Sequence, residues 1–392
     1  MANHVCRRCI GNYPLQELIG QEATANKCDY CDAVSTNGPI AASIKKLMPR
    51  ISEGLQTEWA DPGDEAVPWD SEEGRYIAPV YDSYDLLEMF VDTESEELLR
   101  DLADLLGDGE WCQKNAARLR KDEEWSFDWE TLSDQLKHHT RYVFYRVDPG
   151  PDDIFEPARS PHEILDTIGE LISEQALLRT VEVGTKIIRA RRHEASTHLS
   201  NVEDLGPPPT DKARYSNRMS PAGIPMFYGA SREDTALNEV EGDDFATSAE
   251  FLTLQPFEVI DLTGVPRVPS IFDEQRNRLR SAIKFLSSFT DDLSKPIAKD
   301  GREHIEYVPT QVTTEYFRRV FRQTDDKPVR GIIYPSSRHE GGISWVLFFE
   351  NQDCTQDDRS ETDGKWLTMV TASVRRIDLK TRTAPPPVGR LF

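Results

Sequence analysis

No run of eighteen apolar residues occurs in this 392-residue chain, so no membrane-spanning helix is expected. The opening stretch MANHVCRRCIGN has no apolar core of the kind a secretion signal needs, which points to the cytoplasm. No G-x-G-x-x-G follows a strand and no G-x4-G-K-[ST] occurs, so neither a Rossmann dinucleotide site nor a P-loop is supported. Internal repeats and long low-complexity tracts are missing too. Positive charge is scarce: 46 Lys and Arg face 69 Asp and Glu, a formal charge of -23. Such a chain repels nucleic-acid phosphates, which argues against general DNA or RNA binding. Apolar residues are on the low side at 38%, yet 7 Trp, 12 Tyr and 16 Phe argue for a folded protein.

What is present is unevenly spread. Residues 51–130 carry 24 acidic side chains against 6 basic ones, whereas residues 1–50 carry 4 against 6. The acidic zone is rich in Trp, Leu and Phe, so it reads as a solvated helical surface rather than a disordered tail. The length suffices for two or three domains, each with its own core.

Four of the six cysteines lie in the first 31 residues, as CRRC (6–9) and CDYC (28–31). The spacing is C-x2-C-x18-C-x2-C. Each C-x2-C lets two thiolates from one turn reach a single ion, and two such knuckles close a tetrahedral site. Cys6, Cys9, Cys28 and Cys31 are therefore the expected ligands of a structural zinc ion, with no open position left for catalysis. Four free cysteines that happen to match is the simpler reading, and a redox pair would need no second pair at this distance. Arg7, Arg8 and Lys27 are the only nearby cations, which favours protein packing over nucleic acid as the role of the module. Cys112 and Cys354 stand alone and read as packing residues.

Residues 1–38 thus form a cysteine module. From 39 to 146 the pattern is mostly helical, in IAASIKKLMPRI, SYDLLEMFVDTESEELLRDLADLL and TLSDQLKHHTRYVFYRV. Leu98, Leu99, Leu102, Leu105 and Leu106 give a stripe at helical spacing. VDPGPDDIFEPARSP (147–161) reads as a linker, and 162–392 as a further domain. Ser160-Pro161-His162-Glu163 opens a helix with a capping box. Shorter periods then predict strands over 185–191, 224–230, 257–262, 329–335 and 344–350, with helices near 231–241, 271–289 and 310–323. The expected class is α+β: a zinc-knuckle module, an acidic helical domain, then a mixed α/β domain.

Some motifs fail on inspection. In RRHEASTH (191–198), His193 and His198 are five residues apart, about 140° around a helix, and cannot share one metal ion. Arg192 and His198 fit the loose R-x4-6-H pattern of small helical RNases, but outside the helical half, and such matches arise easily by chance. His138 and His139 read as packing or solvent-facing residues.

Polar groups gather at the ends of four segments of the second half. Arg189 and Arg191 close an apolar run, where a guanidinium can fork onto a phosphate. Tyr228 closes IPMFYGA, and Gly229-Ala230 turn the chain into a helix for which Ser231 and Asp234 form an S-x-x-D start signal. Glu239 sits at the edge of the apolar face made by Ala236, Leu237 and Val240. Gln311 lies in the opening turn of a further helix, and Ser336 and Ser337 follow GIIYP in a turn closed by Gly341-Gly342. Each has a simpler reading as an ion-pair arginine, a solvated glutamate or a turn-forming serine.

In this order, the run ending in RAR, SPAGIPMFYGA with TALNEV, TQVTTEYFR, and IIYPSSR followed by GG resemble the RES-domain family, named for its Arg, Glu and Ser. The resemblance covers about 175–380. CRRC, CDYC and DWETLSDQLKHHTRYVF are similar to the N-terminal extension, of the HEPN/RES kind, that some RES proteins carry. RES domains look like relatives of ADP-ribosyltransferases, and family members act as toxins that consume NAD. The resemblance implies an ADP-ribosyltransferase-like cleft with NAD as substrate, not as redox cofactor. It implies Glu239 as the carboxylate at the nicotinamide–ribose bond, Arg189 on the pyrophosphate, Ser336 on the nicotinamide ribose, Tyr228 as a wall and Gln311 as a further contact. Arg191 competes with Arg189, and Ser337 with Ser336.

Three acceptors stay open: water, inorganic phosphate, or a macromolecule as in an ADP-ribosyltransferase. The alternative is a non-enzymatic zinc-containing interaction protein with an inactive cleft. A small DNA-binding antitoxin or another regulatory protein is the partner the resemblance implies. For the extended N-terminal half, restraint, signal sensing and control of oligomeric state are all open.

Overall fold

The computed structural model describes residues 3–144, 159–240, 242, 244–297, 301–323, 326–359 and 362–381. Most of the expected linker at 147–161 lies outside the described residues. The chain divides into two compact units, Met1–Glu124 with Arg267–Lys284, and Trp125–Pro266 with Phe285–Phe392. Residues 267–284 thus return to the first unit, a feature absent from a purely linear division.

In the first unit β1 (His4–Cys6) pairs antiparallel with β2 (Ala41–Ser43), and α1 (Tyr13–Glu22) comes between them in the chain. α2 (Ile44–Glu58) buries Ile44, Leu47, Ile51 and Leu55, a stripe at three- and four-residue spacing. Then follow β3 (Trp59–Ala60), the hairpin of β4 (Trp69–Asp70) and β5 (Arg75–Tyr76), and β6 (Val80–Asp82). The stretch 83–106 is two helices rather than one, α3 (Ser83–Phe90) and α4 (Glu96–Leu106). Asp82 and Ser95 cap them by accepting the N–H of Asp85 and Leu98. Leu98, Leu99 and Leu102 are buried and Leu106 packs against the same core, but Leu105 faces solvent, so the stripe is narrower than its five leucines suggest. β7 (Glu110–Gln113) pairs with β3 and β6. Ile271 and Phe272, from the returning segment, complete this core; a Cβ on Gly54 would come within 3 Å of both.

α5 (Lys121–Asp134) begins well before the helix expected at Thr131 and ends in a short π-helical turn, Gln135–His139. α6 (Pro161–Glu174) starts as expected, with the Ser160 N–H donating to the Glu163 carboxylate at 2.8 Å. The second unit then builds one ten-stranded sheet from β8 (Leu178–Val181), β9 (Lys186–His193), β10 (Phe227–Ala230), β11 (Phe245–Thr253), β12 (Phe257–Asp261), β13 (Gly331–Pro335), β14 (Ile343–Leu347), β15 (Cys354–Gln356), β16 (Leu367–Met369) and β17 (Arg375–Asp378). Its order is β15-β16-β11-β9-β10-β14-β13-β12-β8, with β17 also on β11. The β12–β13 and β15–β16 pairs are parallel and the rest antiparallel.

Helices α7 (Val202–Leu205), α8 (Glu233–Glu239), α9 (Arg280–Ser294), α10 (Glu303–Glu306) and α11 (Val308–Arg319) complete the architecture, which is mixed α+β. Two sequence expectations are corrected. The helix near 271–289 begins only at Arg280, because Asp273 holds the preceding residues in turns by accepting the N–H of Gln275 and Arg276. β10 starts at Phe227, so Ile224–Met226 lead into the strand rather than belong to it. No described helix is long and apolar enough to cross a membrane.

Candidate active site

Four strands of the sheet each bring one residue to a common row. Ile188 of β9 opposes Ala230 of β10, Ala230 opposes Ser344 of β14, and Ser344 opposes Tyr334 of β13. Opposed residues share a face of the sheet. α8 covers that face, with Ala236 buried against Ile188 and Ala230. This helix has no side-chain cap. Arg232 occupies the N-cap, and the expected Ser231 signal fails because Ser231 Oγ accepts the indole N–H of Trp345 at 2.8 Å instead.

Glu239 is the last residue of α8. Its Oε1 accepts from Ser336 Oγ at 2.6 Å and from Ser344 Oγ at 3.0 Å. Oε2 has no hydrogen-bond partner among the described residues. Ser336 Oγ also accepts the backbone N–H of Arg338 and of His339, each at 3.2 Å. A hydroxyl has one proton and two lone pairs. With both lone pairs engaged, the Ser336 proton is committed to Glu239.

The turn behind Ser336 is held by its own backbone. Ser336 N–H donates to the Gly342 carbonyl at 2.9 Å, and Gly342 N–H to the His339 carbonyl at 2.8 Å. Gly341 sits at φ +70°, where a side chain is strained. A Cβ on Gly342 would lie 2.8 Å from both the His339 carbonyl and the Thr235 methyl. Gly342→Ala is therefore expected to cost about 1–3 kcal/mol of stability, read as a lower unfolding midpoint. An unchanged midpoint would show that the turn has room to spare.

The cleft opens where two strands part. β9 and β10 meet at the single register pair Ile188–Ala230 among the described residues. Beyond it, residues 189–192 of β9, Tyr228 of β10, Glu239, Tyr334 and the segment 212–218 line one cavity of about 740 Å³. Among the described residues, Arg189, Arg191, Arg192 and Lys212 face it, as do Arg214, Arg218 and Arg338, against the two carboxylates Glu239 and Glu303. In a chain of charge -23 this is a local concentration of positive potential, suited to an anionic ligand.

Arg189 is the unusual member. Its Nη1 donates to the Tyr228 carbonyl at 2.6 Å and its guanidinium lies 5.2 Å from the Phe227 ring centre. Its Nε is buried without an acceptor, and no carboxylate pairs with it among the described residues. Burial, then the charge of Arg191, hold its pKa down to about 10. The side chain is thus still a cation at neutral pH, half-buried and with no counter-ion among the described residues, a state that an incoming anion relieves.

The HEPN/RES N-terminal domain 1 matches residues 21–150, and the RES domain matches residues 187–369. The chain is a RES-domain protein. RES domains are associated with NAD-using toxin activity. Neither the curated proteins nor the solved structures hold a significant match. The RES match contains the whole row under α8 together with Glu239, Arg189 and Ser336. The N-terminal match takes in Cys28 and Cys31 but starts after Cys6 and Cys9.

Of the residues singled out in this RES protein's sequence, Arg189, Arg191, Tyr228, Glu239 and Ser337 all line the cleft. Ser336 touches it only through Glu239. Arg191 is exposed and donates to the Asp204 carbonyl. The Tyr228 hydroxyl meets Ser220 Oγ at 2.9 Å, and burial pushes its pKa up to about 12, so it stays a neutral phenol. Gln311 stands apart: its Nε2 donates to Ser216 Oγ and to the Asn217 carbonyl, both at 2.7 Å, bracing the 212–218 wall from behind. The sequence did not point to Ser344, Tyr334 or Arg218. Arg218 ties the same wall to the end of α9 through the Leu293 and Lys295 carbonyls, at 2.8 and 2.7 Å.

The four N-terminal cysteines converge. Sγ separations are 3.9 Å for Cys6–Cys9 and 3.7 Å for both Cys6–Cys31 and Cys9–Cys28, and all four sulfurs lie within 4.8 Å of one another. Four sulfurs about 2.3 Å from a central ion form a tetrahedron with edges of about 3.8 Å. The Cys6 N–H also points at Cys28 Sγ, at 3.4 Å. The donor set fits a tetrahedral, thiolate-preferring metal ion.

Proposed function

We propose that this RES protein degrades NAD by cleaving its nicotinamide–ribose bond, on an ADP-ribosyltransferase-like fold, with water or phosphate as acceptor. The observation that carries this reading is the Glu239 carboxylate, pinned through Oε1 by two hydroxyls and standing on the wall of a cation-lined cleft. When the bond breaks, its electron pair goes to the pyridinium nitrogen, neutral nicotinamide leaves, and the ribose carbon becomes oxocarbenium-like. A fixed carboxylate beside that carbon stabilises the charge, or orients the adjacent 2′-hydroxyl, as carboxylates do in glycoside cleavage. Water then forms the new C–O bond and releases one proton, giving ADP-ribose. Phosphate in its place gives ADP-ribose-1″-phosphate.

Arg189 supplies the pyrophosphate contact, because a half-buried guanidinium without a counter-ion among the described residues gains most from a phosphate's fixed charge. ADP-ribose is accordingly expected to raise the unfolding midpoint, by about 5 °C at a hundredfold excess over Kd, and Arg189→Ala to remove that rise. A rise of equal size in the variant would remove Arg189 from the ligand site. Ser336 is committed to Glu239, so Ser337 is the serine that faces the ribose.

The four cysteines hold a structural zinc ion in this reading, closed to catalysis by its full set of protein ligands. A chain that drains NAD needs restraint, so a regulatory partner, such as an antitoxin, is part of the proposal. The test in cells is expression: growth arrest with a fall in NAD, both relieved by Glu239→Ala. Arrest at undiminished NAD would instead favour modification of a macromolecule.

A further inference from the structure

We infer that Ser344 is a positioning residue that, with Ser336, fixes which oxygen of Glu239 meets the substrate. The inference rests on the proposed role of Glu239 and goes beyond it. Ser344 lies in the middle of the row under α8, flanked by Ala230 and Tyr334 on the adjacent strands, and is only 2% exposed. A buried hydroxyl in a strand must find a partner, and its partner is Glu239 Oε1 at 3.0 Å. Ser336 reaches the same atom from the turn at 2.6 Å. The two donors arrive from different elements, so together they fix both the position of Oε1 and the rotation of the carboxylate plane. Oε2 is then the oxygen presented to the ligand.

The carboxylate needs this support. Glu239 ends its helix, where the backbone is no longer held on both sides, and its side chain has three rotatable bonds. Neither serine contacts the ligand through this hydroxyl. Both act through Glu239.

The experiment is Ser344→Ala beside Ser344→Thr, with NAD kinetics and a crystal structure of the alanine variant. Ser344→Ala is expected to lower kcat about 100-fold, the scale of a misplaced reacting group, with KM within about threefold because the pyrophosphate contact is elsewhere. Ser344→Thr keeps the hydroxyl and is expected to recover most of the loss. Pairing Ser344→Ala with Ser336→Ala should give a combined loss unlike the product of the two, since both act on one atom. In the crystal, the Glu239 carboxylate should leave its wild-type position in the alanine variant. An unmoved carboxylate with unchanged kcat overturns the inference, as does a loss that appears only in KM. If the wild type does not turn over NAD, the proposed function fails on its own, and the carboxylate position still decides whether Ser344 places Glu239.

Discussion

Glu239→Gln is expected to lower kcat for NAD cleavage by about 1,000-fold or more while leaving the unfolding midpoint close to wild type. The side chain keeps its size and one carbonyl oxygen, so Ser336 and Ser344 still have an acceptor. What disappears is the negative charge opposite the forming oxocarbenium ion. That charge acts in a cleft walled by Tyr228 and Tyr334, whose phenols burial keeps protonated. In such surroundings a fixed charge is worth far more than in water. KM should change little, because Arg189 and the other cations of the cleft carry ground-state binding. A kcat within tenfold of wild type would mean that another group does the chemistry.

The second large effect concerns the cysteine cluster. Cys28→Ser is expected to abolish stoichiometric zinc binding and disorder the loops that carry the cysteines, since structural zinc sites contribute about 10–16 kcal/mol of binding free energy. Cys28 is 1% exposed, and its sulfur accepts the Cys6 N–H while lying 3.7 Å from Cys9 Sγ. A serine oxygen is shorter, harder and protonated at neutral pH, so it replaces none of these contacts well. The residues clustered with the cysteines are mostly small, such as Ala25, Ala33 and Ala41. Val5, Ile10, Leu15 and Ile19 belong instead to the larger core shared with α2, α3 and α4, so the loss falls on the cysteine loops. Metal analysis of wild type beside Cys28→Ser settles it; equal zinc in both removes the assignment.

The legible part of the site lay where sequence order and local chemistry coincide. Glu239 stood at the edge of an apolar helix face, and Ser336 directly followed a strand and its terminal proline; the structure joins them at 2.6 Å across 97 residues of chain. Ser344 was hidden because SWVLFFE reads as an apolar strand, and only the pairing of β14 with β10 and β13 shows which face the serine takes. Gln311 looked like a cleft residue because it opens a helix near the motif, yet its amide is spent on residues 216 and 217. No local pattern reveals that.

The fold shows the same division. Strands built on an Ile-Ile pair, such as β9 and β13, were read to within a residue or two. β11, FATSAEFLT, was passed over although it pairs with β9 over eight residues and carries β16 and β17 on its other edge. Alanine, serine and threonine make up five of its nine residues, and small residues give weak periodicity. The Ser231 start signal failed for a tertiary reason too, the demand of a buried tryptophan N–H for an acceptor.

The central claim is that Glu239 serves the cleavage of NAD. The most direct measurement is a product assay, with purified protein and NAD, with and without inorganic phosphate, read by mass spectrometry beside Glu239→Gln. Nicotinamide release by the wild type and its loss in the variant is the predicted result, with ADP-ribose or ADP-ribose-1″-phosphate naming the acceptor. Intact NAD in every tube, or equal release by both proteins, would contradict it.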